Sequence, residues 1–307
     1  MAKKQKIVII CGPTASGKTG LALQLAKELP SANILSVDSR QIYQELDIVT
    51  GKDIPSHLPS EINFYGLNLF KPTEVANLAD FTRYATEVID KSYKSGTPLI
   101  IVGGTGLYLK SITERLSDIL VPPNPELRKE LEQLPLSYLQ QKLKETNPAK
   151  YQSLNRSDIM NPRRLIRSIE ISLSKPVPSA PQQPGRQVEY FWVGLRPDKN
   201  ALKTSINLRV KKRLEQGAVK EVENLMSKYS SHSLPVFSSL GVSQIRQHID
   251  KKITQSELIE IWTNAEVDYA RRQMVWFKKQ PHIVWYDKDA DRKKLIDNLI
   301  KIYNPNA

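Results

Sequence analysis

Gly12-Pro13-Thr14-Ala15-Ser16-Gly17-Lys18-Thr19 is the stretch on which the fold of this chain turns. A Gly-x-x-x-x-Gly-Lys-Thr run is a phosphate cradle when it joins a strand to a helix. The flanks provide both, since Lys6 to Cys11 is a short apolar run of buried-strand type and Leu21 to Leu29 has helical periodicity. The glycines let backbone N–H groups turn inward, and the helix N-terminus adds about half a positive charge. Lys18 can neutralise outer phosphates, and the Thr19 hydroxyl suits Mg²⁺. The motif implies a bound polyphosphate without saying which ester it is or which bond breaks.

Further strand candidates are Asn33 to Val37, Pro98 to Val102 and Val188 to Val193, with a helical stretch from Leu78 to Ser92 between the first two. Strands alternating with helices predict an α/β fold, a P-loop NTPase-like parallel sheet flanked by helices, with ligands beyond the carboxyl ends of the strands. Two proline-rich stretches, Val121 to Pro125 and Lys175 to Gly185, read as hinges around a small helical insertion. The expected division is a discontinuous catalytic domain, 1–120 and 188–307, and an insertion domain, 121–187. After Val193 the chain looks mainly helical. There Thr254-Gln-Ser-Glu257 is a capping box, and Leu258, Trp262, Ala265, Tyr269 and Trp276 form one apolar stripe that places Tyr269 and Trp276 in the core.

The net charge of +13 over 307 residues favours nucleic acid or another polyanion as partner. The single Cys11 excludes an intrachain disulfide and a cysteine metal site, which suits a reducing cytosol. His57, His232, His248 and His282 are scattered without ligand spacing. No apolar run approaches the ~20 residues of a membrane span, and the basic N-terminus leads straight into the first strand, so a soluble cytoplasmic protein with no membrane partner is expected, with a monomer as the default state.

Asp38 ends the second strand and projects over the same crevice as the bound phosphates, where a carboxylate either holds Mg²⁺ or accepts a proton from an attacking nucleophile. The strand ending at Val102 runs into Gly103-Gly104-Thr105 rather than Asp-Glu, so the usual place of an ATPase carboxylate is empty. Small residues there admit a substrate close to the backbone, and Thr105 offers a hydroxyl. Arg163, Arg164 and Arg167 share one helix face, with Leu165, Ile166, Ile169 and Leu173 opposite, and they suit either RNA phosphates or a kinase-type nucleotide lid. Arg209 and Arg213, flanked by Lys211 and Lys212, form another basic face, and Arg271-Arg272 interleave with aromatics. On the residues alone, an ATP-binding small-molecule kinase and a non-catalytic RNA-binding protein remain open beside a transferase acting on RNA.

Taken together, these segments resemble the tRNA dimethylallyltransferase (isopentenyltransferase) family. The likeness rests on Gly12 to Thr19, Ser36-Val-Asp-Ser-Arg-Gln-Ile-Tyr43, Val102-Gly-Gly-Thr-Gly-Leu-Tyr108, Asn161-Pro-Arg-Arg-Leu-Ile-Arg167 and Tyr269-Ala-Arg-Arg-Gln273, and it covers nearly the whole chain. It implies transfer of a dimethylallyl group from dimethylallyl pyrophosphate to N6 of adenine 37, in tRNAs reading codons that start with U. The P-loop then holds the donor's pyrophosphate, with Mg²⁺ on Thr19 and with Arg209 and Lys18 stabilising the leaving charge. Asp38 matches the family's catalytic aspartate and Thr105 its threonine near the reacting centre. Asp38, Ser39, Arg40 and Gln41 would contact the flipped nucleotide, while Arg163, Arg164, Leu165, Ile166 and Arg167 would grip the anticodon stem-loop. Arg128 aligns with a further tRNA contact. An adenylate prenyltransferase is the near alternative, though it has no need of the basic insertion. The chain departs from the family's usual pattern at Val49-Thr-Gly-Lys-Asp53, at Gly241-Val-Ser-Gln244, at Asp268 and across the loop from Glu61 to Pro72.

Overall fold

The computed structural model describes residues 4–55, 57–114, 116–174, 187–229, 234–287 and 292–304. The expected hinge at 175–185 lies outside them. The chain forms two compact units, Met1–Thr113 with Pro184–Ala307, and Glu114–Gln183.

In the first unit the chain order opens with β1 (Gln5–Cys11), α1 (Lys18–Lys27), β2 (Ala32–Val37), β3 (Ile62–Tyr65), α2 (Leu78–Ser95), β4 (Leu99–Gly103) and α3 (Gly106–Thr113). The second unit is wholly helical: α4 (Pro125–Leu131), α5 (Leu136–Thr146), α6 (Pro148–Ser153), α7 (Arg156–Ile159) and α8 (Pro162–Leu173), after a single 3₁₀ turn at Ser117–Leu120. The first unit resumes with β5 (Val188–Arg196), α9 (Lys199–Glu215), α10 (Ala218–Lys228), α11 (Val242–Ile249), α12 (Gln255–Phe277), β6 (Val284–Asp287) and α13 (Arg292–Tyr303).

The six strands lie in the order β3-β2-β4-β1-β5-β6, and every pairing is parallel. Side chains alternate across the sheet, and both faces are covered, as an all-parallel sheet requires. Ile7, Ile9, Leu35, Val37, Leu99 and Ile101 join Phe81 and Ile89 of α2 and Trp262 of α12 on one face. Val8, Ile10, Ile34, Ile100 and Val102 meet Leu21 and Leu25 of α1 and Leu295 and Leu299 of α13 on the other. The last residue of α13 locks the sheet: the Tyr303 hydroxyl accepts from Val8 N–H (3.0 Å) and donates to the Leu99 carbonyl (2.6 Å), spanning β1 and β4.

The edge strands β3 and β6 carry no clear sequence signal, since each has only four residues and lacks a fully apolar face. The α1 helix begins at Lys18, ahead of the apolar periodicity, because Gly17 caps it in a left-handed turn with φ 84°. The capping box at the start of α12 forms as expected, with Thr254 Oγ1 accepting from Glu257 N–H and the Glu257 carboxylate accepting from Thr254 N–H.

The second unit has its own core of Leu131, Leu139, Leu143, Leu165, Ile166 and Ile169. It starts at Glu114, where the sequence reading began the insertion at Val121. The stretch from Asp118 to Val121 belongs with α8 because the Arg167 guanidinium donates to the carbonyls of both Asp118 (2.8 Å) and Val121 (2.9 Å). The expected hinge at Val121 to Pro125 ends in a helix start, with Asn124 Oδ1 accepting from Leu127 N–H.

Candidate active site

Because β4 lies between β1 and β2, three neighbouring strand ends bring their following loops to one place: Gly12 to Thr19, Asp38 to Gln41, and Gly104 with Thr105. Two glycines make the approach possible. A Cβ at Gly103 would stand 2.3 Å from the Val37 carbonyl oxygen, and one at Gly104 would stand 2.3 Å from Gln273 Nε2. The loops line a cleft of about 900 Å³ together with residues of α9 and α12. Its wall carries six cationic side chains (Lys18, Arg40, Arg209, Lys212, Arg213 and Arg272) against three carboxylates (Asp38, Asp53 and Glu266), a balance that favours a polyanion.

On the donor side, Thr14, Ala15, Gly17, Lys18 and Thr19 face the cleft, whereas Gly12, Pro13 and Ser16 are buried within the loop. The Ser16 hydroxyl is shut off from solvent and has no hydrogen-bond partner. Lys18 Nζ donates to the Pro13 carbonyl (2.5 Å), holding the ammonium across the loop. Burial pushes that ammonium down to about 8, and Arg209 adds to the fall while Asp38, Cys11 and Glu266 oppose it. Arg209 Nη1 donates to Thr14 Oγ1 (3.2 Å), and Nη2 reaches Asp53 (3.4 Å). The predicted residues Lys18, Thr19 and Arg209 therefore meet at one end of the cleft.

Opposite them, Asp38 Oδ1 accepts from Arg40 N–H at 2.8 Å, which leaves the second carboxylate oxygen for another partner. Ser39 N–H donates to Thr105 Oγ1 (3.3 Å), so the β2 and β4 loops are joined. Gln41 accepts from Ser36 Oγ (3.0 Å) and donates to the Gly51 carbonyl (2.9 Å), tying the departing segment Val49 to Asp53 to the cleft wall. Arg40 donates to the Pro235 carbonyl at 3.1 Å.

The α12 helix departs from the expected stripe. Its buried line is Leu258, Trp262, Glu266, Ala270, Gln273 and Phe277, while Ala265, Tyr269 and Trp276 are only half-buried. Tyr269 is thus a cleft residue rather than a core one, with its phenol beside Thr105 and Asp38. Burial, then the charge of Asp38, raises this phenol well above its ordinary range and keeps it protonated. Glu266 pairs with Arg213 at 3.1 Å in the floor, with the two side chains only 9% and 5% exposed. Gln273 donates to the Gly104 carbonyl and accepts from Thr14 N–H. Glu266 and Gln273 were not among the predicted site residues. The available signal was two polar residues on the line that the apolar Leu258, Trp262 and Phe277 define, since buried polar side chains need partners.

Within the second unit the predicted tRNA contacts separate. Leu165 and Ile166, expected among the tRNA contacts, are 0% and 4% exposed, because the amphipathic α8 turns them into that unit's core. Arg128 makes two bonds to Glu170 (2.9 and 2.7 Å), and Arg167 pairs with the same carboxylate besides bonding the two carbonyls described above. Arg164 is exposed and pairs with Asp158. Arg163 is exposed and has no ion-pair partner among the described residues.

No helix among the described residues is long and apolar enough to cross a membrane. The family model described as IPP transferase matches residues 41–280. The chain is 37% identical over 307 residues to a tRNA dimethylallyltransferase of Gloeothece citriformis, covering 99% of this chain and 98% of that relative. A tRNA dimethylallyltransferase of Picosynechococcus is 36% identical over 286 residues, 92% of this chain and 94% of its own. Among solved structures, the full-length tRNA isopentenylpyrophosphate transferase of Bacillus halodurans aligns with a TM-score of 0.68 at 27% identity over 98% of both chains. A eukaryotic dimethylallyltransferase acting on tRNA shares the fold, with a TM-score of 0.80 at 20% identity over 99% of this chain and 81% of that one. Strand order, cleft and these likenesses agree, and the chain belongs to the IPP transferase family.

Proposed function

We propose that this protein transfers a dimethylallyl group from dimethylallyl pyrophosphate to the exocyclic N6 of adenine 37 in tRNAs reading codons that start with U, releasing pyrophosphate. The observation that carries the reading is the cleft itself: a phosphate loop with Lys18 and Arg209 at one side faces Asp38 and the Thr105 loop at the other. In the transfer, N6 forms a bond to C1 of the prenyl group as the C1–oxygen bond breaks, and pyrophosphate leaves with that electron pair. The Asp38 carboxylate takes the proton from N6, a step the amine needs because its lone pair is delocalised into the ring. Lys18, Arg209 and the backbone N–H groups of the loop from Ala15 to Thr19 bind the leaving oxygens, where charge grows. Thr105 accepts from Ser39 N–H and so keeps the Asp38 loop in place.

The Thr19 hydroxyl and the Asp38 carboxylate line the same cleft, and hard oxygen donors of this kind suit Mg²⁺, which keeps several waters and takes the rest of its ligands from phosphates. Bound there, Mg²⁺ would neutralise charge on the leaving pyrophosphate. The target base must leave the anticodon stack to reach such a cleft, which costs a few kcal/mol, less in a loop than in a duplex. The protein would act where tRNA matures in the cytoplasm, as a monomer.

The test is incubation with labelled dimethylallyl pyrophosphate, Mg²⁺ and unmodified tRNA or AMP, beside a γ-labelled ATP control. Label appearing in tRNA is expected. Label moving from ATP with none from the prenyl donor overturns the reading in favour of a kinase, and label in AMP alone favours the adenylate enzyme.

Of the arginines expected to grip the anticodon stem-loop, Arg163 and Arg164 are exposed. Arg163→Ala is expected to weaken tRNA binding and lower the salt slope of log Kd by about one, the mark of one lost phosphate contact. Arg167→Ala is expected to leave that slope unchanged and to destabilise the unit by about 1–3 kcal/mol, since it strips donors from the carbonyls of Asp118 and Val121. Filter binding across a salt series, with urea melts alongside, separates the two roles. Equal slope changes in both variants would contradict the assignment.

A further inference from the structure

Gln273 is 6% exposed and lies in the last third of α12, on a buried line that is apolar apart from it and Glu266, and both ends of its amide are used. Oε1 accepts from Thr14 N–H at 2.8 Å, and Nε2 donates to the Gly104 carbonyl at 3.0 Å. The orientation follows from the partners, for a backbone N–H can only donate and a carbonyl can only accept. One planar group thus joins the phosphate loop to the β4 loop. The path continues, because Thr105 follows Gly104 and accepts from Ser39 N–H, and Asp38 holds Arg40 N–H. Gly104 is fitted to this arrangement, since a Cβ there would stand 2.3 Å from the amide nitrogen.

We infer that Gln273 is a positioning residue that sets the separation between the pyrophosphate loop and the Thr105–Asp38 side, and with it the distance between the prenyl carbon and N6. It acts through Thr14 and Gly104 and makes no bond to either substrate. The inference rests on the transferase reading above. A primary amide is the group this position needs, since it offers an acceptor and a donor on one rigid plane. Ionised glutamate offers acceptors only, and methionine, of similar length, offers no N–H donor and only a weak sulfur acceptor. Rates of reactions between two bound partners fall about a hundredfold for misplacements near 1 Å, so loss of this link should appear in turnover.

The experiment compares Gln273→Glu, Gln273→Met and the unaltered full chain. It reads kcat and KM for dimethylallyl pyrophosphate at saturating tRNA, the affinity for inorganic pyrophosphate by calorimetry, and the folded fraction by thermal melting. Gln273→Glu keeps the acceptor for Thr14 but loses the donor to Gly104. It is expected to lower kcat by about 10–100-fold while KM and pyrophosphate affinity stay within about threefold. Gln273→Met loses both links and is expected to lower kcat as much and to weaken pyrophosphate about 5–10-fold besides. Wild-type kcat per folded molecule in both variants overturns the inference, as does a loss in Gln273→Glu that lies in KM alone. If the unaltered protein transfers no prenyl group, the function proposed above falls, and the pyrophosphate arm still decides this one: equal affinity in Gln273→Met and the unaltered chain overturns it.

Discussion

Asp38→Asn is expected to lower kcat for tRNA prenylation by about 10²–10⁴-fold, the range for loss of a general base, while tRNA affinity stays within about threefold. Asparagine is the informative replacement because its carbonyl oxygen can still accept from Arg40 N–H, the bond that shapes the turn after β2. The loop therefore keeps its form while the proton acceptor is lost. The amide cannot take a proton from N6, so the barrier rises by about 3–5 kcal/mol. Single-turnover rates at saturating tRNA and donor measure the chemical step directly. Raising Mg²⁺ distinguishes the two roles open to this carboxylate: a deficit that persists at saturating Mg²⁺ marks the base, and one that disappears marks a metal ligand. An unchanged rate, or a loss found entirely in tRNA affinity, contradicts the assignment.

Glu266→Ala is expected to destabilise the protein by about 3–5 kcal/mol, because it leaves the Arg213 guanidinium buried without its counter-charge. The neighbourhood offers no substitute. Arg213 lies over the Trp262 ring at 5.9 Å, its Nε has no hydrogen-bond partner, and its far end is packed against Gly51. Urea unfolding followed by tryptophan fluorescence is the natural measurement, with Trp262 beside the pair as an internal reporter. Replacing both partners by methionine should cost less than Glu266→Ala, since an apolar pair carries no uncompensated charge. Strictly additive losses would mean that the pair does not act as a unit.

Much of the site was readable before the structure because its parts are set by backbone rules. A glycine loop between strand and helix, a carboxylate at the next strand's end and a run of small residues at a third must converge when those strands are adjacent in a parallel sheet. What escaped were groups defined by what surrounds them. Glu266 and Gln273 are surface-type residues whose burial follows from the packing of α12 against α9 and the sheet, and periodicity assigned that face to Ala265, Tyr269 and Trp276 instead. Leu165 and Ile166 entered the set of tRNA contacts through the family resemblance, although their periodicity already placed them on the apolar face opposite the arginines, where the structure buries them. Arg167 read as a cation free to meet anions and Arg128 as an aligned tRNA contact, and only the fold reveals that both pair with Glu170. The edge strands β3 and β6 are too short for alternation to register.

The strand order carries a consequence for how the chain is made. β1 lies between β4 and β5, so after Gly103 is synthesised one of its edges stays open until Val188–Arg196 emerges. At the usual ~5–20 residues per second that wait is on the order of ten seconds. The buried apolar run Ile7 to Cys11 spends it with unpaired backbone groups, the condition under which nascent chains associate wrongly. Glu114–Gln183, which carries its own core, is translated within that interval. Ribosome-bound helpers that shield an open strand should therefore matter more for the yield of this protein than its finished stability suggests.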